Sequence, residues 1–186
     1  MLFRSVPVAT FAGLVFGAIE TGAFSLLPVY GLRNDMPEAT AALLISIVVS
    51  GNIISQIPIG WLSDHSDRRK ILLLCGVFGC VGAVAMPLTV SVPAAFYVVL
   101  FIWGGFTGGL YTVGLAHLGA RFTGHELANA NAAFVMLYSL GLVIGPPLVG
   151  FGMDSFGSHG FALALAGMLG AYALLVAARM GLQKGT

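Results

Sequence analysis

An all-α integral membrane bundle of six transmembrane helices is the fold class this sequence predicts, on three observations. The chain is 58% hydrophobic and 8% charged, with a mean hydropathy of +0.98. Eight Lys and Arg plus seven Asp and Glu in 186 residues cannot cover the surface of a soluble domain. The apolar residues fall into six runs of about 20, the length that crosses a hydrocarbon core as helix. The one dense charge cluster, Gly60-Trp61-Leu62-Ser63-Asp64-His65-Ser66-Asp67-Arg68-Arg69-Lys70, stands between two such runs, where a short polar turn belongs. Strands of a barrel would alternate over about ten residues, and no such alternation is visible.

Taken in order, the spans are placed at about 8–30, 40–62, 71–90, 94–117, 127–150 and 160–178, and residues 1–186 read as a single bundle. The first contains Glu20, outruns the apolar region of a signal peptide and lacks a convincing small-residue cleavage site, so it is read as retained. The second runs into the charged turn. The third encloses Cys75 and Cys80, a placement that argues against a disulfide framework or a metal site. Gly104, Gly105, Gly108, Gly109 and Gly114 give the fourth a surface suited to close packing. In the fifth, Gly141 and Gly145 permit close approach while Pro146 and Pro147 lack donors, so a bend near the outer end is expected.

Orientation follows from the cations. Arg4, Arg68, Arg69, Lys70, Arg121, Arg179 and Lys184 all fall on the amino-terminal side of the bundle, against Arg33 alone opposite. Both termini are therefore expected in the cytoplasm, with the bacterial inner (plasma) membrane as the expected site. The formal net charge of +1 is explained by this asymmetry and implies no nucleic-acid partner.

Gly51, Gly60 and Asp64 recur ninety residues later as Gly141, Gly150 and Asp154, at matching places in spans two and five and the turns after them. Coincidence competes in a chain with 26 glycines. Three spans followed by three spans put the first turn inside and its counterpart outside, and Phe151 to His159 has no cation. A 3+3 inverted repeat is the physical reading.

The motif Gly60-x-Leu62-Ser63-Asp64-x-x-x-Arg68-Arg69 resembles the loop motif of the major facilitator superfamily. Gly141-x-x-x-Gly145-Pro146-Pro147-x-x-Gly150 resembles its Gly-Pro motif on the fifth helix of a six-helix half. The resemblance covers all six spans, half of the family's usual twelve, and implies one bundle of a two-bundle transporter. The family's amino-terminal half usually carries an Arg near the start of its fourth helix, whereas Phe101 to Gly109 has no cation. His65 and Asp67 also replace the usual cation and glycine of the loop motif. Both departures resemble the carboxy-terminal half. In the family the loop's Asp and cations contact the opposing bundle and hold the outward-facing state. From the residues alone, Gly60 allows close packing, Asp64 or Asp67 caps the third span, and the cations only set topology.

Glu20 lies near mid-membrane, where an ionised carboxylate facing lipid costs from about 3 to over 10 kcal/mol. Gly13, Gly17, Glu20 and Phe24 share one helical face, suited to packing or cavity lining. Three readings stand: proton coupling, pairing with a cationic substrate, or a neutral side chain hydrogen-bonded inside the bundle. Asn52 with Gln56, Thr107 with Tyr111, and Asn131 with Tyr138 form polar stripes that line the same cavity or bond between helices. Trp61 and Trp103 are read as anchors at opposite interfaces.

Zinc-protease, nucleophile-elbow and phosphate-loop motifs are absent, His117, His125 and His159 are scattered, and Ser139 with His117 would lie at different depths. No enzyme activity, metal or cofactor is expected. The expected function is secondary transport of a small solute by alternating access, with proton coupling as one form of it. The partners are the lipid bilayer, a small-molecule substrate and a second six-helix bundle, either a missing amino-terminal half or a homodimer mate. The alternative is a non-transporting membrane scaffold or assembly partner derived from a transporter half.

Overall fold

A continuous apolar run satisfies its backbone in lipid by forming helix, and this chain does so almost throughout. The computed structural model describes residues 7–182. Its helices are α1 Pro7–Leu32, α2 Glu38–His65, α3 Arg68–Thr89, α4 Pro93–Gly119, α5 Gly124–Phe156 and α6 Gly160–Leu182, with one 3-10 turn at Gly157–His159. No strand occurs among the described residues. All six helices are long and apolar enough to cross a membrane, and the chain is an integral membrane protein. Arg4 and Lys184 of the orientation argument lie outside the described residues.

Local chemistry sets the turns. Gly31 O accepts from Asn34 N and Met36 N after α1, with Asp35 at φ 59°. Pro37 and Glu38 then open α2, where a carboxylate favours the amino-terminal end. Pro93 opens α4. Gly157, at φ 62°, closes α5 in a conformation that side chains resist.

Two helix pairs dominate the packing, α1 along α5 and α2 along α4. Both are close because glycine removes the side chain at the contact. A Cβ on Gly51 of α2 would run into Phe101 O of α4, and one on Gly141 of α5 into Leu14 O of α1. The repeat-related glycines therefore do the same job in the two pairs, as an inverted repeat requires. Gly104 against Val48 O and Gly145 against Ala18 O continue the two seams. The third glycine of the sequence pattern behaves differently. Gly60 has no atom within 4 Å of its Cβ position, so close packing there, expected from the sequence, is not found. Position 60 lies past the end of the seam.

Helices α3 and α6 pack on each other and buttress α4 and α1. Trp103 belongs to this layer. It is 1% exposed, with its ring over Gly82 of α3, and so corrects the expectation of an interfacial anchor. Trp61, 63% exposed, remains on the surface. The outer faces of α2 and α5 are the most open. In their most apolar windows 17% and 22% of residues are buried, against 39–56% in the other four helices.

The prolines of α5 do not interrupt it. Pro146 has no N–H for the carbonyl of Leu142, four residues back. Thr21 of α1 supplies the replacement, its Oγ1 lying 3.0 Å from Leu142 O and 2.9 Å from its own Gly17 O. A helix-breaking residue is thus accommodated by a donor on the neighbouring helix.

Candidate functional site

Glu20 stands near the middle of α1, half-buried, beyond the small face formed by Gly13 and Gly17. That face packs on Phe134 and Tyr138 of α5, which brings the Tyr138 ring level with the carboxylate. The phenol donates to Glu20 Oε2 at 2.6 Å, a short bond of the kind made to a charged acceptor. Both residues open on a cavity of about 210 Å³ shared with Phe16, Asn52, Gln56 and Tyr111. Gly108 and Thr112 of α4 complete its wall. Gln56 Nε2 donates to Asn52 Oδ1 at 3.0 Å, joining the two amides of α2 into one polar strip. A Cβ on Gly108 would overlap that Asn52 amide, so the glycine makes room for it.

The cavity draws on four helices in two pairs. Phe16 and Glu20 of α1 and Tyr138 of α5 come from one, and Asn52, Gln56, Gly108, Tyr111 and Thr112 from α2 and α4, the other. Five of the seven residues expected to line a cavity meet there: Glu20, Asn52, Gln56, Tyr111 and Tyr138. Thr107 does not. It is 3% exposed, and its hydroxyl turns back to Trp103 O at 3.0 Å and Gly104 O at 3.1 Å. Asn131, half-buried two turns before Tyr138, is not among the lining residues either. Phe16 and Thr112 were not singled out from the sequence. Phe16 could have been, since it precedes Glu20 by one turn on the same face.

Charges gather at the two ends of the bundle. At one end, Arg68 Nη2 meets Asp64 Oδ1 at 3.0 Å, and Asp67 Oδ1 accepts from Arg69 N at 3.0 Å as the amino-terminal cap of α3. Asp67 is therefore the cap, and Asp64 pairs within its own turn. His117 and Arg121, at the end of α4, border the same depression as Asp67 and Arg68. At the other end, Arg33 bridges to Asp154 at 3.6 Å and donates to Met153 O at 3.2 Å, tying the end of α1 to that of α5. Asp64 and Asp154 occupy repeat-related positions, one with a partner four residues on and the other with a partner distant in sequence.

The family model described as Major Facilitator Superfamily matches residues 9–184. The chain belongs to the Major Facilitator Superfamily. Among curated relatives it is 30% identical over 145 residues to an uncharacterized MFS-type transporter, YfkF, of Bacillus subtilis, covering 77% of this chain and 36% of that one. It is 26% identical over 183 residues to an uncharacterized MFS-type transporter of Yersinia enterocolitica, covering 97% of this chain and 46% of the relative. It is also 28% identical over 172 residues to the uncharacterized MFS-type transporter YcaD of Salmonella typhi, covering 91% and 42%. The chain thus spans less than half the length of these relatives. All three relatives are described as transporters of that superfamily. Gly60 and Asp64 lie in the last turns of α2 and Arg68 and Arg69 open α3, while Gly141, Gly145, Pro146 and Pro147 lie within α5, with the two glycines packed on α1.

Proposed function

We propose that this chain is one bundle, the carboxy-terminal one, of a secondary transporter that carries a small solute across the membrane by alternating access. The solute binds in the Glu20 cavity, and Glu20 takes up and releases a proton during the cycle. The observation that carries this reading is the short Tyr138–Glu20 bond beside an open cavity at mid-span. A carboxylate at that depth is expensive unless protonated or paired, and residues held there are functional by default. Alternating access needs an opposing wall. The openness of α2 and α5, and the match to less than half of each relative, support a second six-helix bundle there. The cations Arg68, Arg69, Lys70 and Arg121 flank one end of the bundle, which supports cytoplasmic termini in a bacterial inner membrane.

The test is Glu20→Gln in membrane vesicles that hold the protein with its opposing bundle. A panel of solutes is offered under an imposed pH gradient, and internal pH is followed with a dye. Gradient-driven exchange is expected to vanish in the variant while gradient-independent exchange persists at saturating solute. Unchanged rate and unchanged pH profile would remove Glu20 from the mechanism.

A further inference from the structure

The cavity also says what kind of solute suits it. We propose, resting on the reading of this cavity as a solute site, that its ligand is a small organic cation. Its charged centre sits against Glu20 and its apolar body lies among Phe16, Tyr111 and Tyr138.

Charge balance is the first argument. Among the described residues no Lys, Arg or His lines the cavity, and the Lys and Arg residues all lie at helix ends, at 33, 68 to 70, 121 and 179. Glu20 Oε2 has one neutral donor, the Tyr138 phenol. An ionised Glu20 is then a mid-span negative charge without a counter-charge among the described residues, and a ligand that supplies one gains what this bundle leaves unpaired. An anionic solute would meet the same carboxylate as a repulsion.

The walls are the second argument. Phe16 and Tyr111 lie 5.5 Å apart between ring centroids, Phe16 and Tyr138 6.0 Å, and Tyr111 and Tyr138 5.4 Å. Phe16 and Tyr138 are stacked while Tyr111 stands nearly edge-on to Tyr138, at 67°. Such a cluster offers ring faces in more than one direction, and ring faces attract cations, quaternary ammonium groups above all. Across from the rings, Asn52 and Gln56 are tied to each other, and the Gln56 carbonyl is an acceptor for an ammonium N–H. At about 210 Å³ the cavity is smaller than the roughly 300 Å³ at which drug-sized sites begin. It suits a charged head with one ring attached.

The experiment measures equilibrium binding of radiolabelled benzyltrimethylammonium to the purified protein, held with its opposing bundle in lipid nanodiscs. Benzyl alcohol and benzenesulfonate serve as neutral and anionic competitors. Saturable binding is expected, weakened about tenfold or more by Glu20→Gln and several-fold by Tyr111→Leu. Glu20→Asp should retain it within a few-fold, and neither competitor should displace it. Thermal unfolding of each variant confirms folding, and should Glu20→Gln fail to fold, Glu20→Asp and Tyr111→Leu still carry the comparison. Equal displacement by benzyl alcohol or benzenesulfonate overturns the cation class and leaves a solute site standing. So does absence of cation binding while gradient-driven transport still depends on Glu20. Absence of binding by all three probes, together with transport indifferent to Glu20→Gln, overturns the site itself.

Discussion

Replacing Thr21 by Val tests how α5 tolerates Pro146, and the structure fixes both the size and the context of the effect. Val keeps the volume of Thr and removes only the hydroxyl. In the native protein that hydroxyl is the donor within reach of Leu142 O, at 3.0 Å, because Pro146 has no N–H to give. Interhelical hydrogen bonds in membranes average about 0.6 kcal/mol and reach about 1.7. This bond belongs near the upper figure, since its acceptor is a backbone carbonyl deprived of its ordinary partner. Thr21→Val should therefore cost about 1–1.7 kcal/mol, a fall of roughly 2–7 °C in Tm for a chain of this length. In a Pro146→Ala background Leu142 regains an amide four residues on, and Thr21 keeps its bond to Gly17 O within α1. There the same change should cost less than about 0.5 kcal/mol. The assay is a double-mutant cycle on Tm and on reversible unfolding in mixed micelles, with an expected coupling of about 1 kcal/mol. Strict additivity of the two substitutions would refute the account and leave the continuity of α5 without its explanation.

Other positions make sharper yes-or-no tests. A Cβ on Gly145 would sit 2.8 Å from Ala18 C and Cα, about 0.7 Å inside normal carbon contact, so Gly145→Ala should lower stability by about 1–3 kcal/mol. Gly60→Ala and Gly167→Ala meet open space within helices and should instead be neutral or stabilising by up to about 1 kcal/mol; parallel Tm measurements decide. Trp103 is buried with an unbonded indole N–H, so Trp103→Phe should cost less than about 1.5 kcal/mol while Trp103→Ala should cost about 3–5, read by chemical unfolding. Asp67→Ala should cost about 1 kcal/mol as a lost cap, whereas Asp64→Ala removes an exposed pair and should cost well under 1; equal losses in Tm would contradict the assignment of the cap.

What the sequence reveals of this bundle is what depends on composition along one helix. Six apolar runs without alternation give six helices because lipid then leaves each run to satisfy its backbone within itself. Glu20 stands out for the same reason, as an acid at a depth where acids are rare. Partnerships between helices are less legible. Tyr138 is 118 residues from Glu20, and nothing in either segment announces that a ring on α5 will come level with a carboxylate on α1. Thr107 and Thr112 show the limit on a single helix. Tyr111 lies between them in rotation, and the side of Tyr111 on which the cavity opens depends on where α2 sits. Position 60 misleads because a motif glycine and a packing glycine look alike in sequence, and only the neighbour at Gly51 distinguishes them. Trp103 misleads because its ring direction is decided by Gly82 on another helix.

The placement of the cavity follows from the repeat. Each repeat lends its first helix to a seam with the second helix of the other, so α1 joins α5 and α4 joins α2, and both seams are closed by glycine against backbone. Contacts between the two pairs rest more on side chains, with Phe16 against Tyr111 at 5.5 Å and Tyr111 against Phe134 at 5.3 Å. Backbone-to-backbone seams resist sliding, because a small shift drives atoms together; side-chain contacts give way by changing rotamer. The softer boundary therefore lies between the pairs, and the cavity lies on it, with Glu20 and Tyr138 on one side and Asn52, Gln56 and Tyr111 on the other. Tyr138 holds Glu20 within its own pair, so a shift of one pair against the other would leave the 2.6 Å bond intact while changing the distance from carboxylate to amides. Under such a shift the acid and its hydrogen-bond donor would travel together, and the proposed solute would meet a changed set of amides.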